Sequence, residues 1–220
     1  MAKLITSLFV ASDEQTMWRV KMHDDPHAFA RLVARWEKPI QRLCTRMTGD
    51  PHRAEDLTQT AFARVFARRA SWEPSGRFST FLWRIALNLC YDDLRQTRRR
   101  GECPLDGFDE EGNAGGEPFV AEELSPHAQA DARERGGFVR DALLRLPSPY
   151  REVVVLRHYE ALKFHEIAEV LDIPEGTVKS RMAEALTQLS RLLKHLSDDK
   201  PNEDKTCNHK KQTLELRAAL

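Results

Sequence analysis

The sequence predicts an all-α fold, two small helical domains joined by an acidic flexible linker. Three observations lead there. Through most of residues 25–100 and 125–196, apolar residues recur at steps of three and four, the spacing that builds one face of a helix. Between those blocks, residues 101–124 are rich in Gly, Asp and Glu and almost without periodicity, the composition of a flexible linker. A length of 220 residues also suits two compact units better than one large core, because a domain takes about 100–150 residues.

The elements follow in order. Residues 1–24 show only a short apolar start and are read as a leader of uncertain structure. Asp25-Pro26 then supplies a cap and a first-turn proline, followed by Phe29, Leu32, Val33, Trp36, Ile40, Leu43, Cys44 and Met47 on one face. Pro39 lies within that pattern and predicts a kink or a break, since it removes a backbone donor. Gly49-Asp50-Pro51 ends this helix and caps the next, which carries Ala54, Leu57, Ala61, Phe62, Val65 and Phe66 and stops before Glu73-Pro74-Ser75-Gly76. A third helix runs from about Phe78 to Arg100. Its main stripe is Phe78, Leu82, Ile85, Ala86 and Leu89, with Trp83, Leu87 and Tyr91 on another side, more apolar surface than one core needs. Beyond the linker, Ser125-Pro126 restarts helix to Leu146, and Ser148-Pro149 caps another containing Val153, Val154 and Leu156. The domains are therefore 25–100 and 125–196, with a polar tail at 197–220.

The formal net charge of zero conceals a division along the chain. Pro26–Arg100 holds fifteen Lys and Arg against seven Asp and Glu, whereas Gly101–Asp141 holds three against eleven. A basic block followed by an acidic one suggests a nucleic-acid-binding domain tied to a linker that avoids or mimics phosphate, the plainer alternative being two solvated surfaces. No apolar run reaches the roughly 20 residues of a membrane helix, and the first residues lack the apolar stretch and cleavage site of a signal peptide, so the expectation is cytoplasmic. Cys44, Cys90, Cys103 and Cys207 form no CxxC pair, and Cys207 with His209 has no second ligand pair; neither disulfides, a metal site nor a cofactor is expected.

From Phe164 the chain reads FHEIAEVLDIPEGTVKSRMAEALTQLSRLL: a short helix, a tight Asp172-Ile173-Pro174 turn and a longer helix, the spacing of a helix-turn-helix. Ile167, Ala168, Val170, Leu171 and Ile173 would pack on Val178, Met182, Ala185 and Leu189. Thr177, Ser180, Arg181, Glu184 and Gln188 then fall on the opposite face as groove-facing candidates. The apolar pattern alone also admits a plain helical hairpin, the lesser alternative.

AEDLTQTAFARVF and FSTFLWRIALNLCYDDLRQTRRR, followed by RLPSPYREVVVLRHYE and the helix-turn-helix block, together resemble the extracytoplasmic-function group of bacterial sigma factors. The resemblance spans about residues 26–100 and 126–193, and both of that family's domains occur in order. It implies a protein that binds core RNA polymerase, directs it to promoter DNA and helps open the duplex. Its first domain, sigma region 2, would serve the minus-ten element, and its second, region 4, the minus-thirty-five element. It also implies an anti-sigma factor as a further partner, a monomer when active, and action by binding, with no catalytic residues.

Carried over residue by residue, Asp56, Gln59 and Phe62 become polymerase-binding candidates, with core packing the alternative for Phe62. Phe81 and Trp83 become candidates for stacking on a melted strand, again with core as the alternative, and Trp83 is preferred. Arg77, Arg84, Asn88 and Arg95 become candidates for contacts to phosphates or base edges, with a solvated helix face as the ordinary alternative. Lys179, Ser180 and Arg181 match the family's GTVKSR stretch and are expected to touch the minus-thirty-five duplex, together with Thr177, Glu184 and Gln188. The chain departs from the family pattern after Met182, where Ala183-Glu184-Ala185-Leu186-Thr187-Gln188 lacks the usual cations, and also at Lys163 and Asp172.

Two other functions compete. A helix-turn-helix regulator acting without polymerase would leave the AEDLTQ block without a purpose. A magnesium nuclease built on Glu55, Asp56, Asp92 and Asp93 is disfavoured, because adjacent helical residues diverge by about 100 degrees.

Overall fold

The computed structural model describes residues 11–74, 76–100 and 126–198, and among them there is helix and no strand. The helices are α1 (Asp13–His23), α2 (Pro26–Thr48), α3 (Pro51–Ala67), α4 (Phe78–Arg100), α5 (Pro126–Arg145), α6 (Ser148–Val154), α7 (Phe164–Leu171) and α8 (Glu175–Asp198). The expected linker at 101–124 lies outside the described residues, as does nearly all of the tail.

The first half is a bundle of α1 to α4. Ser12 accepts from the Gln15 backbone N–H while the Gln15 side chain accepts from the Ser12 N–H, a reciprocal cap that starts α1 inside what the sequence reading left as a leader. Met17 and Val20 of α1 are fully buried against the bundle. Asp25 and Asp50 each accept two backbone N–H groups at the starts of α2 and α3, as the Asp-Pro pairs predict. Pro39 does not break α2, which continues to Thr48. Helical backbone carried by Ile40, Leu43, Cys44 and Met47, all fully buried, outweighs the one lost donor.

Helix α4 is the central element, packing on α1, α2, α3 and α7. Its second apolar side is therefore used: Trp83 and Leu87 are buried along with Phe78, Leu82 and Ala86. Cys44 of α2 and Cys90 of α4 are both buried as free thiols. Their contact, more than burial itself, pushes the Cys90 thiol well above its ordinary range.

The second half is α5 to α8. Helix α6 widens into a π-type turn at Val155–Tyr159, then α7 and α8 form the expected helix-turn-helix. Asp172 takes the left-handed conformation (φ 56°) that the turn requires and that Asp tolerates. Ile167, Val170, Val178, Met182 and Ala185 close the core between the two helices.

The halves pack on one another. Gly49, at φ +85° in the corner between α2 and α3, has the Leu144 side chain of α5 so close that an added Cβ would sit 3.0 Å from its Cδ1. Arg151 of α6 is only 6% exposed. Its guanidinium donates to the carbonyls of Leu143, Leu144 and Leu146 at the end of α5 and to Met47 near the end of α2. One cation thus satisfies orphan carbonyls at two helix C-termini, one from each half. Burial, with Arg98 nearby, lowers it to about 10. Arg46 of α2 pairs with the buried Glu160 at 3.5 Å and lies 4.1 Å over the Tyr159 ring.

Candidate nucleic-acid interface

Helix α8 sorts its residues by face. Lys179, Ser180, Ala183, Glu184 and Thr187 are exposed, with Thr177 and Gln188 at the margin, while Val178, Met182 and Ala185 are buried beneath. Lys179 pairs with Glu175 one turn earlier at 2.7 Å, and Gln188 donates to Glu184 at 2.8 Å. These side chains are held in place yet remain open to a ligand from outside.

Arg181 is placed differently. It lies on the side turned toward α6, where its Nη1 is 3.0 Å from Oε1 of Glu152. The other oxygen of that carboxylate accepts the Tyr91 hydroxyl of α4. Burial raises Glu152 to about 7, against the pull of Tyr91 and Arg181. Burial, then the Glu152 charge, raises Tyr91 far above its ordinary value.

On the first half, Arg84, Asn88 and Arg95 are exposed along α4 at steps of four and seven, one helical stripe, with Arg77 exposed just before the helix. Two of these cations are engaged by the second half. Arg77 forms a close ion pair with Glu166 of α7. Arg84 donates to the last carbonyls of α7, Glu169 at 2.7 Å and Val170 at 3.3 Å. Glu166 also accepts the Lys163 backbone N–H at 2.8 Å, so the helix start is capped despite Lys163. That bond, followed by Arg77, holds Glu166 below the usual carboxylate range. Arg95 stands 4.0 Å from Asp92, both well exposed.

Trp83, preferred over Phe81 for stacking, lies in the core alternative in this arrangement. Trp83 is 3% exposed and meets Trp36 edge-on at a centroid distance of 5.7 Å, so neither ring face is open to a base in this arrangement. Phe81 is half-buried, resting on the same core. Asp56 and Gln59 are exposed and one turn apart on α3, whereas Phe62 is 6% exposed and packs edge-on against Phe29, the core alternative.

The sequence reading missed Glu152, Arg151, Tyr91 and Glu166 as organising groups. Each has at least one partner far away in sequence, Arg181, Met47, Glu152 and Arg77 respectively, and the one local signal was a pair of adjacent charges, Arg151-Glu152, running directly into the apolar Val153–Leu156. Among the described residues no cluster of three or more His, Cys, Asp or Glu is arranged to hold a metal ion, and no helix is long and apolar enough to cross a membrane.

Residues 32–100 match the family model for sigma-70 region 2, and residues 139–189 that for sigma-70 region 4. The chain is 35% identical over 172 residues to the ECF RNA polymerase sigma factor SigW of Bacillus subtilis, covering 78% of this chain and 92% of that one. It is 30% identical over 185 residues to the RNA polymerase sigma-H factor of Pseudomonas aeruginosa, covering 84% and 95%. Among solved structures, CnrH in complex with the cytosolic domain of CnrY shares the fold, with a TM-score of 0.61 and 21% identity over 84% of this chain and 99% of that one.

Proposed function

Because the chain belongs to the extracytoplasmic-function group of the sigma-70 family, we propose that it binds core RNA polymerase and directs it to a specific set of promoters. The observation that carries this reading is the presence of both sigma regions, in order, on one chain. A regulator acting without polymerase has no use for the first. The action is binding and duplex opening in the cytoplasm, with no covalent chemistry of its own.

In this reading the outward stripe of α8, Lys179, Ser180 and Glu184 with Thr177 and Gln188 at its margin, meets the minus-thirty-five duplex. Lys179 neutralises phosphate, and Glu184 is suited to accept from a cytosine amine. Arg77, Arg84, Asn88 and Arg95 face the minus-ten region, with Phe81 offering an aromatic surface to a melted base. Asp56 and Gln59 on α3 meet the polymerase. Arg77 and Arg84 are held by α7 in the compact arrangement, so their service to DNA requires the halves to part. An anti-sigma protein that favours the compact arrangement fits the same surfaces.

The test is run-off transcription with purified core polymerase on a library of genomic promoters. Specific transcripts that weaken with Lys179→Ala are expected. Absence of transcripts, with duplex binding intact, would move the assignment to a helix-turn-helix regulator.

A further inference from the structure

Successive residues of an α-helix turn through about 100 degrees, so Lys179, Ser180 and Arg181 cannot share one face although they adjoin in sequence. The outward face takes Lys179 and Ser180. Arg181 goes to the shoulder, with Val178 and Met182 buried beside it. Its side chain is 29% exposed, whereas that of Glu152 beneath it is 4% exposed.

A guanidinium already 3.0 Å from a buried carboxylate is poorly placed to serve a phosphate as well. Swinging outward would leave the buried Glu152 carboxylate with the neutral Tyr91 hydroxyl in place of a cation, the costly half of a broken ion pair. The pair instead joins α8 to α6, the helix on which it packs within the second half. Apolar packing between the two helices is non-directional and by itself fixes rotation weakly. The directional bond between Arg181 and Glu152 fixes it, and with it the direction in which Lys179 and Ser180 point.

We propose that Arg181 is a positioning residue of the minus-thirty-five helix: through Glu152 it sets the rotation of α8 on α6 and makes no contact with DNA itself. This rests on the reading of α8 as the helix that enters the duplex. It also assigns Glu152, buried and remote from any groove, a share in promoter affinity.

The test is the affinity of holoenzyme, full chain with core polymerase, for a promoter fragment across a salt series. The proteins compared are wild type, Arg181→Gln, Glu152→Gln, the double variant and Lys179→Ala. The conservative variants leave no buried charge without a neutral partner, and circular dichroism at the assay temperature confirms that each is folded. Arg181→Gln and Glu152→Gln are each expected to lose about tenfold in affinity, with the double variant losing no more than either, the signature of one shared interaction. The ratio between those two single variants should stay constant with salt. Were Arg181 a phosphate contact, that ratio would change with a slope of about 0.9 in log salt and Glu152→Gln would bind like wild type; that result overturns the proposal. If Lys179→Ala and Arg181→Gln both bind like wild type, the duplex-reading role of α8 fails, and the proposal with it.

Discussion

Arg77 of the first half and Glu166 of the second are ion-paired across the boundary between them, with the Arg77 side chain 58% and that of Glu166 18% exposed. A residue assigned to promoter DNA is therefore occupied by a carboxylate of the same chain. The pair is partly solvated, so its contribution is small and falls with salt.

Glu166→Gln is expected to raise the affinity of the free chain for a single-stranded minus-ten oligonucleotide by about twofold at low salt. The gain should fade as salt rises. The amide oxygen of Gln can still accept the Lys163 N–H, so the cap of α7 survives. Fluorescence anisotropy with the labelled oligonucleotide measures the effect, and an unchanged affinity at low salt would show that the ion pair does not compete with DNA.

Arg151→Met should lower stability by about 2–4 kcal/mol, because it removes the guanidinium that four carbonyls at two helix ends accept from. Lys at the same position should recover little, since an ammonium cannot reproduce the fork of a guanidinium. Chemical denaturation monitored by circular dichroism gives both numbers.

Stability should depend on pH through Glu152. Burial raises its value to about 7 from an ordinary 4.5, so the folded chain holds this proton more tightly than the unfolded chain. The resulting stabilisation is complete below about pH 4.5 and is lost as pH rises through 7, a span on the order of 3 kcal/mol. Glu160, also raised by burial, acts with the same sign. Thermal midpoints should fall between pH 5.5 and 8, and Glu152→Gln should flatten much of that slope.

Trp83→Ala and Phe81→Ala should separate core from surface. Removing Trp83 opens a cavity against Trp36 and is expected to cost about 3–5 kcal/mol of stability. Removing the half-buried Phe81 should cost less stability and weaken binding of the melted minus-ten strand by about 1–3 kcal/mol. Denaturation and oligonucleotide binding on the same two variants distinguish them.

Local chemistry was legible from the residues. Asp25-Pro26 and Asp50-Pro51 start helices, Asp172 makes the left-handed turn, and the Ile167 to Ala185 spacing closes the helix-turn-helix core. The Ser12–Gln15 cap of α1 was present to be read, but α1 buries only Thr16, Met17 and Val20, too weak a stripe to announce a helix. The surroundings of Trp83 and Arg181 were not legible, for one reason. A motif reports which residues adjoin in sequence, while their orientation depends on partners such as Trp36 and Glu152, 47 and 29 residues away. The cross-boundary bonds of Arg77, Arg84 and Tyr91 span still greater separations and leave no periodic trace.

The contact between Cys44 and Cys90 has a consequence for oxidative chemistry. Peroxides and disulfides are attacked by thiolates, and a thiol held protonated inside a helical core is a poor nucleophile. Both sulfurs are buried in the half assigned to promoter opening, and there the Cys90 thiol is shielded from attack on such oxidants by its contact with Cys44 and by the core around it.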